Sequence, residues 1–166
     1  MDNLFISKWW GNYIGGCDDS LLLLDYFGNS ASETLTLRQI FEDIHLDFVL
    51  ESGEIENADL YFELESEYKP HFEMSINVII DLSAILLECL HNEQVTISDL
   101  DKSTKYQKRI AISAEKQDIS LLKKGLDKFI NAPQSFELAG FLSENELSEL
   151  ISDCQSVSHE LNAFIE

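Results

Sequence analysis

The stretch Leu60 to Leu90, LYFELESEYKPHFEMSINVIIDLSAILLECL, changes its hydrophobic period once, and that change decides the fold class. Leu60, Phe62 and Leu64 alternate with Tyr61, Glu63 and Glu65, the period of two that sends successive side chains to opposite faces of a strand. Glu67-Tyr68-Lys69-Pro70 reads as a turn, after which Phe72, Met74 and Ile76 alternate with His71, Glu73 and Ser75. The two arms predict an antiparallel hairpin with an apolar inner face. Its outer face carries Glu63, Glu65, Glu67 and Glu73 in rows, whose mutual repulsion has to be relieved by solvent, salt or a cationic partner. From Val78 to Leu90 apolar residues occur almost all round, as in a helix packed against both a sheet and other helices.

Working outward, Asp18-Asp19-Ser20 precedes Leu21 to Phe27, and acids at that position favour a helix N-terminus through the backbone dipole. Gly28-Asn29-Ser30 is expected to stop it. A short helix is predicted from about Thr36, with Leu37, Ile40, Phe41 and Ile44 on one face, and the acidic segment Leu50 to Asp59 reads as a loop. Beyond the core helix, Val95 to Ile97 and Arg109 to Ile112 predict a second strand pair. A helix carrying Ile119, Leu122, Leu126, Phe129 and Ile130 should end before Pro133, with Lys116, Lys123, Lys124 and Lys128 turned mainly outward. In the last helix Ser143 and Glu146 have capping-box spacing ahead of an apolar stripe from Leu147 to Ile165. The order predicts a single α+β domain over residues 1–166: a mostly antiparallel sheet of about four strands with helices packed on one face.

The formal net charge is −20, and it is unevenly spread. Residues 1–101 hold 21 acidic residues against Lys8, Arg38 and Lys69, residues 102–128 are basic, and residues 129–166 hold seven acids and no base. Such a chain repels phosphate backbones and anionic membranes and steers basic partners toward itself, which argues against direct nucleic-acid or membrane binding. Disorder is a poor account of the charge, because 45% of the residues are hydrophobic and fall in periodic blocks. Cys17, Cys89 and Cys154 are odd in number and widely spaced, as expected of reduced thiols in a cytosolic protein. No basic segment followed by a long apolar run opens the chain, and Val78 to Leu90, broken by Asp81, Ser83 and Glu88, falls short of the ~20 residues of a membrane helix. The expectation is a soluble, cytoplasmic protein.

Catalytic and metal motifs are hard to find. His45, His71, His91 and His159 are scattered without ligand spacing, so no metal or other cofactor is expected. Asp99-x-Asp101-x-Ser103 starts like a calcium loop but places Thr104 where the sharp turn needs Gly and Ile110 where a bidentate Glu belongs. Gly11, Gly15 and Gly16 lack a following Gly-Lys-Ser or Gly-Lys-Thr, and Cys89 and His91, two apart on a helix, face different directions. Carboxylate pairs are so abundant that no single pair is marked out as a catalytic acid and base. The protein is expected not to be an enzyme.

The run Trp9-Trp10-Gly11-Asn12-Tyr13-Ile14-Gly15-Gly16, the following Asp18-Asp19-Ser20 and the Leu-rich helix to Asp25-Tyr26 resemble the opening of small acidic bacterial immunity proteins of contact-dependent growth inhibition and related polymorphic toxin systems. The resemblance is specific over about the first thirty residues and transfers no binding position by position. It implies a cytoplasmic inhibitor of one cognate toxin domain, often a nuclease. The charge agrees independently, since rows of carboxylates can imitate the polyanion that a basic nuclease groove grips. Glu63, Glu65, Glu67 and Glu73 are therefore the first candidate toxin contacts, with Asp18, Asp19, Trp9 and Trp10 second. For the two tryptophans the usual burial of large aromatics favours a core role. The alternative function is an intracellular adaptor or secretion chaperone for a basic effector protein, and a small hydrolase using buried carboxylates stands third.

Overall fold

A single helix, α4 (Ser75–Asn92), organises the molecule: every residue from Ser75 to Cys89 is buried. Ile79, Leu82, Ile85, Leu86 and Leu87 retain no exposed surface, and such side chains contribute about 1.5–3 kcal/mol each. The structure is a computed structural model that describes residues 4–166. Around α4 lie α1 (Asp18–Asn29), a 3-10 turn at Phe5–Lys8, α6 (Lys116–Asn131) and α7 (Glu144–Asn162). By length and hydropathy α4 could cross a membrane, but 83% of it is buried in this fold.

The sheet has three strands among the described residues and is mixed. Strand β3 (Arg109–Ser113) lies in the centre, parallel to β1 (Thr34–Thr36) and antiparallel to β2 (Val95–Thr96). Ile110 and Ile112 turn inward, while Arg109 and Ser113 are exposed, so one face carries the helical cover. The α+β class and the pairing of the segments at 95 and 109 agree with the sequence, whereas four mostly antiparallel strands are not what forms. Residues 60–76 make a hairpin in outline without becoming strands. One antiparallel bridge joins Tyr61 to His71, supported by the Phe72 N–H to Leu60 carbonyl bond (2.9 Å) and the Leu64 N–H to Tyr68 carbonyl bond (3.0 Å). Three features stop a ladder. Pro70 has no N–H to give, Ser75 already begins α4, and the Glu73 and Met74 N–H groups are captured by the Asp19 carboxylate at 2.8 and 3.0 Å.

Two short helices fill what periodicity left vague. Thr36 caps α2 (Leu37–Asp43), its hydroxyl accepting from the Gln39 N–H. Asp47–Ser52 forms α3, so the first residues of the expected loop are helical, and Gly53 at φ +77° ends that helix in the left-handed region. Helix α1 ends at Asn29, capped by Ser30, within the Gly28-Asn29-Ser30 segment expected to stop it, and a Cβ on Gly28 in its last turn would meet the Tyr106 ring at 2.5 Å. A short α5 (Ile97–Leu100) follows β2. Helix α6 ends before Pro133 as read from the sequence, and the Ser143–Glu146 capping box opens α7 with both reciprocal bonds formed.

Candidate functional site

Between the end of α1, the β1–α2 segment and the hairpin arm at 62–66 lies an open cleft of about 1090 Å³. Its floor includes Leu35, Phe62, Leu64 and Tyr26. Its charged lining consists of Glu42, Asp43, Glu63 and Glu65, with His45 as the one titratable base and, among the described residues, no Lys or Arg. Helix α2 supplies Glu42 and Asp43 because its buried face, Leu37, Ile40 and Phe41, turns the following acids outward. Asp43 is held by two donors, Tyr26 Oη at 2.6 Å and Gln39 Nε2 at 2.7 Å. Burial, then the bond to Asp43, pushes the Tyr26 phenol above its usual range, which keeps it a donor. His45, at φ +66°, stacks on Tyr61 at 4.0 Å and closes one end of the wall.

The four first-choice carboxylates are all exposed, but the hairpin divides them. Glu63 and Glu65 face the large cleft, and Glu67 stands near the tip in a left-handed turn (φ +65°). Glu73 lines a separate hollow of about 230 Å³ together with Glu56, Asp59 and Glu137. The bases of the acidic half are already engaged. Lys69 pairs with Glu63 at 3.6 Å on the surface, Lys8 lies near Glu160 at 3.9 Å and over the Phe5 ring, and Arg38 binds Asp118 and Glu51 to tie α2 to α6 and α3. The exposed pairs contribute about 0–1 kcal/mol and leave the surrounding field acidic, whereas Asp118 is buried and Arg38 satisfies a carboxylate that would be costly unpaired. In the basic segment Lys108 donates to the Ser30 carbonyl, Lys128 to the Gly53 carbonyl, and Lys123 to Asp127 at 2.6 Å.

Two of the second-choice residues are taken off the surface by burial. Trp9 is 2% exposed and donates from its indole to Ser156 Oγ at 3.1 Å. Asp19 is 3% exposed and, besides holding Glu73 and Met74, accepts from Asn77 Nδ2 at 2.9 Å. Both are structural, Asp19 because an unpaired buried carboxylate would be prohibitively costly and these donors satisfy it. Trp10 is half-buried, its indole N–H bound to the Leu100 carbonyl, and its ring covers Gly15, where φ is +80° and a Cβ would overlap it at 2.3 Å. Asp18 stays exposed on the first turn of α1.

Beneath the N-terminal segment, Asp81 is buried on α4 and accepts from Ser20 Oγ and from the Gly15 N–H at 3.1 Å. Desolvation pushes its carboxyl up to about 7, against the downward pull of those bonds. It is sealed from solvent and cannot meet a substrate. Glu88, also buried, accepts from the Ile6 N–H at 2.8 Å and from Asn92 at 2.6 Å, fastening the N-terminal turn to the end of α4. The three cysteines are free, and burial pushes each thiol up, Cys89 to about 12, which is the opposite of an activated nucleophile. Among the described residues no group of three or more His, Cys, Asp or Glu converges in a way that would hold a metal ion.

Sequence reasoning missed Glu42 and Asp43, and only their place on the polar side of the predicted α2 could have pointed to them. The family model described as Immunity protein 68 matches residues 5–161, nearly the whole chain and every wall of the cleft. Comparison with curated proteins and with solved structures finds no match.

Proposed function

The chain belongs to the Immunity protein 68 family, the immunity proteins of polymorphic toxin systems, and from that premise we propose that it binds and neutralises a cognate, basic nuclease toxin domain in the cytoplasm of the cell that makes both. The carrying observation is the exposed acidity of residues 42–73: Glu42, Glu63, Glu65, Glu67 and Glu73 are all open to solvent on a chain of net charge −20. A nuclease groove built to hold phosphates is complementary to such a surface, and blocking it requires no chemistry from the inhibitor. Long-range attraction raises the encounter rate toward ~10⁸–10⁹ M⁻¹s⁻¹, which matters when each free toxin molecule turns over repeatedly.

Co-expression tests this. The C-terminal fragment encoded by the frame immediately upstream should arrest growth alone and permit growth together with this chain. Growth arrest that this chain does not relieve overturns the reading. Improved solubility or export of a harmless neighbour favours the adaptor or secretion-chaperone function instead.

A further inference from the structure

We propose that the cleft between α1, the β1–α2 segment and the hairpin is the docking groove for a basic segment of the toxin, which inserts Lys or Arg side chains instead of adding a strand to the sheet. This rests on the inhibitor function above and adds where and how the partner is held. The groove combines an apolar floor, Leu35, Phe62 and Leu64, with acids at its walls, Glu42, Asp43, Glu63 and Glu65. Long basic side chains have that same division, with aliphatic stems that lie on apolar surface and charged heads that need carboxylates. A small cation has no use for the floor, and an acidic or apolar peptide has none for the walls. Asp43 is pre-oriented, because Tyr26 and Gln39 each hold one of its oxygens, so less side-chain freedom is lost when a guanidinium arrives.

The sheet edge beside the groove explains the mode of entry. Just ahead of β1, the Glu33 carbonyl faces β3 and accepts from the Ala111 N–H at 2.8 Å. The groups of Thr34, pointing the other way, are both taken by Ser32 Oγ, which accepts from the Thr34 N–H at 3.1 Å and donates to its carbonyl at 2.8 Å. An incoming strand would have to displace Ser32 to gain its first ladder bonds, on an edge only three residues long. Side-chain insertion meets no such obstacle.

The test compares two variants that each lose four carboxylates, so that net charge is matched and only position differs. One carries Glu42→Gln, Asp43→Asn, Glu63→Gln and Glu65→Gln; the other carries the exposed Glu93→Gln, Glu115→Gln, Glu144→Gln and Glu149→Gln, away from both hollows. Affinity is measured by titration against the toxin domain encoded immediately upstream, with a thermal melt as the folding check. The cleft variant should bind roughly 100-fold or more weakly, the control within about 5-fold of wild type. Equal weakening of both, or an unaffected cleft variant, overturns the groove assignment while leaving the inhibitor function intact. A wild-type chain that does not bind the domain at all overturns the inhibitor function first, and the groove assignment with it. If the fourfold variant fails to fold, Glu65→Lys alone, at an exposed position, should reproduce the loss, and unchanged affinity there overturns the assignment. Amide exchange in the complex reads the mode: strong new protection of Thr34 N–H would mean strand addition and refute insertion.

Discussion

Replacing Asp81 by Asn should make the protein more stable at pH 8 and leave it little changed near pH 4. The carboxyl is fully buried on α4, and its pKa rises from 3.8 to about 7 on folding. A folded-state pKa above the unfolded value means that the native state holds the proton more tightly. The destabilisation from this group is therefore absent below about pH 4, grows between pH 4 and 7, and is complete above 7. A shift of about three units at 1.36 kcal/mol each gives ~4 kcal/mol. Asn keeps an oxygen for the Gly15 N–H and lets the Ser20 hydroxyl turn to accept, and the charge assistance lost from both bonds is already contained in that net shift, which those bonds reduce. The net gain at pH 8 is ~4 kcal/mol, or roughly 8–16 °C in melting temperature for a chain of this size. Melting both proteins from pH 4.5 to 8 and plotting the difference isolates the site, because general repulsion among the other acids is nearly common to both. A difference that stays constant over that range would refute the account of Asp81.

Reversing Glu63, Glu65, Glu67 and Glu73 to Lys should weaken toxin binding by orders of magnitude in a titration while leaving the circular dichroism spectrum unchanged, since all four are exposed. The association rate of the wild-type complex should fall steeply as salt is raised from about 0.01 to 0.15 M, over which the screening length contracts from ~30 to ~8 Å, and a flat stopped-flow profile would contradict steering. Gly125→Ala in α6 places a methyl 2.8 Å from Leu50 Cδ2 and 3.4 Å from Ile55 and Ile79, and overpacking of this kind should cost ~1–3 kcal/mol in urea unfolding. Ser143→Ala removes the N-cap of α7 and should cost ~1 kcal/mol by the same assay.

The helical frame was legible wherever a long apolar period ran unbroken: α4, α6 and α7 follow their stripes, and the Ser143 cap marks its boundary. Strand β1 was invisible because three residues cannot establish a period, and its partner β3 lies over seventy residues away. The hairpin teaches something different. Alternation at Leu60, Tyr61, Phe62 and Glu63 correctly gave inside and outside, yet burial pattern and ladder are separate matters, and a distant carboxylate, Asp19, decided the second. That same residue looked like a surface acid beside Asp18, and nothing local distinguishes the two. Acids on the hairpin were readable as exposed, but their division between two hollows depends on how α2 and the Phe136–Leu138 segment pack against opposite sides. The cleft arises from elements far apart in sequence, so the polar side of α2 could mark Glu42 and Asp43 as turned outward but not as one wall of a groove.

Asp19 also bears on how readily this molecule can acquire new partners. Its carboxylate fixes the hairpin exit at Glu73 and Met74, while Leu60, Phe62 and Phe72 seat the two arms in the core. Between those anchors, residues 63–69 are exposed apart from half-buried Leu64. Substitutions there leave the scaffold's anchors untouched, and on the docking mode proposed above recognition and foldability rest on largely separate residues. On that mode, a toxin that drifts in sequence is followed by its antagonist through changes in one short, tolerant segment.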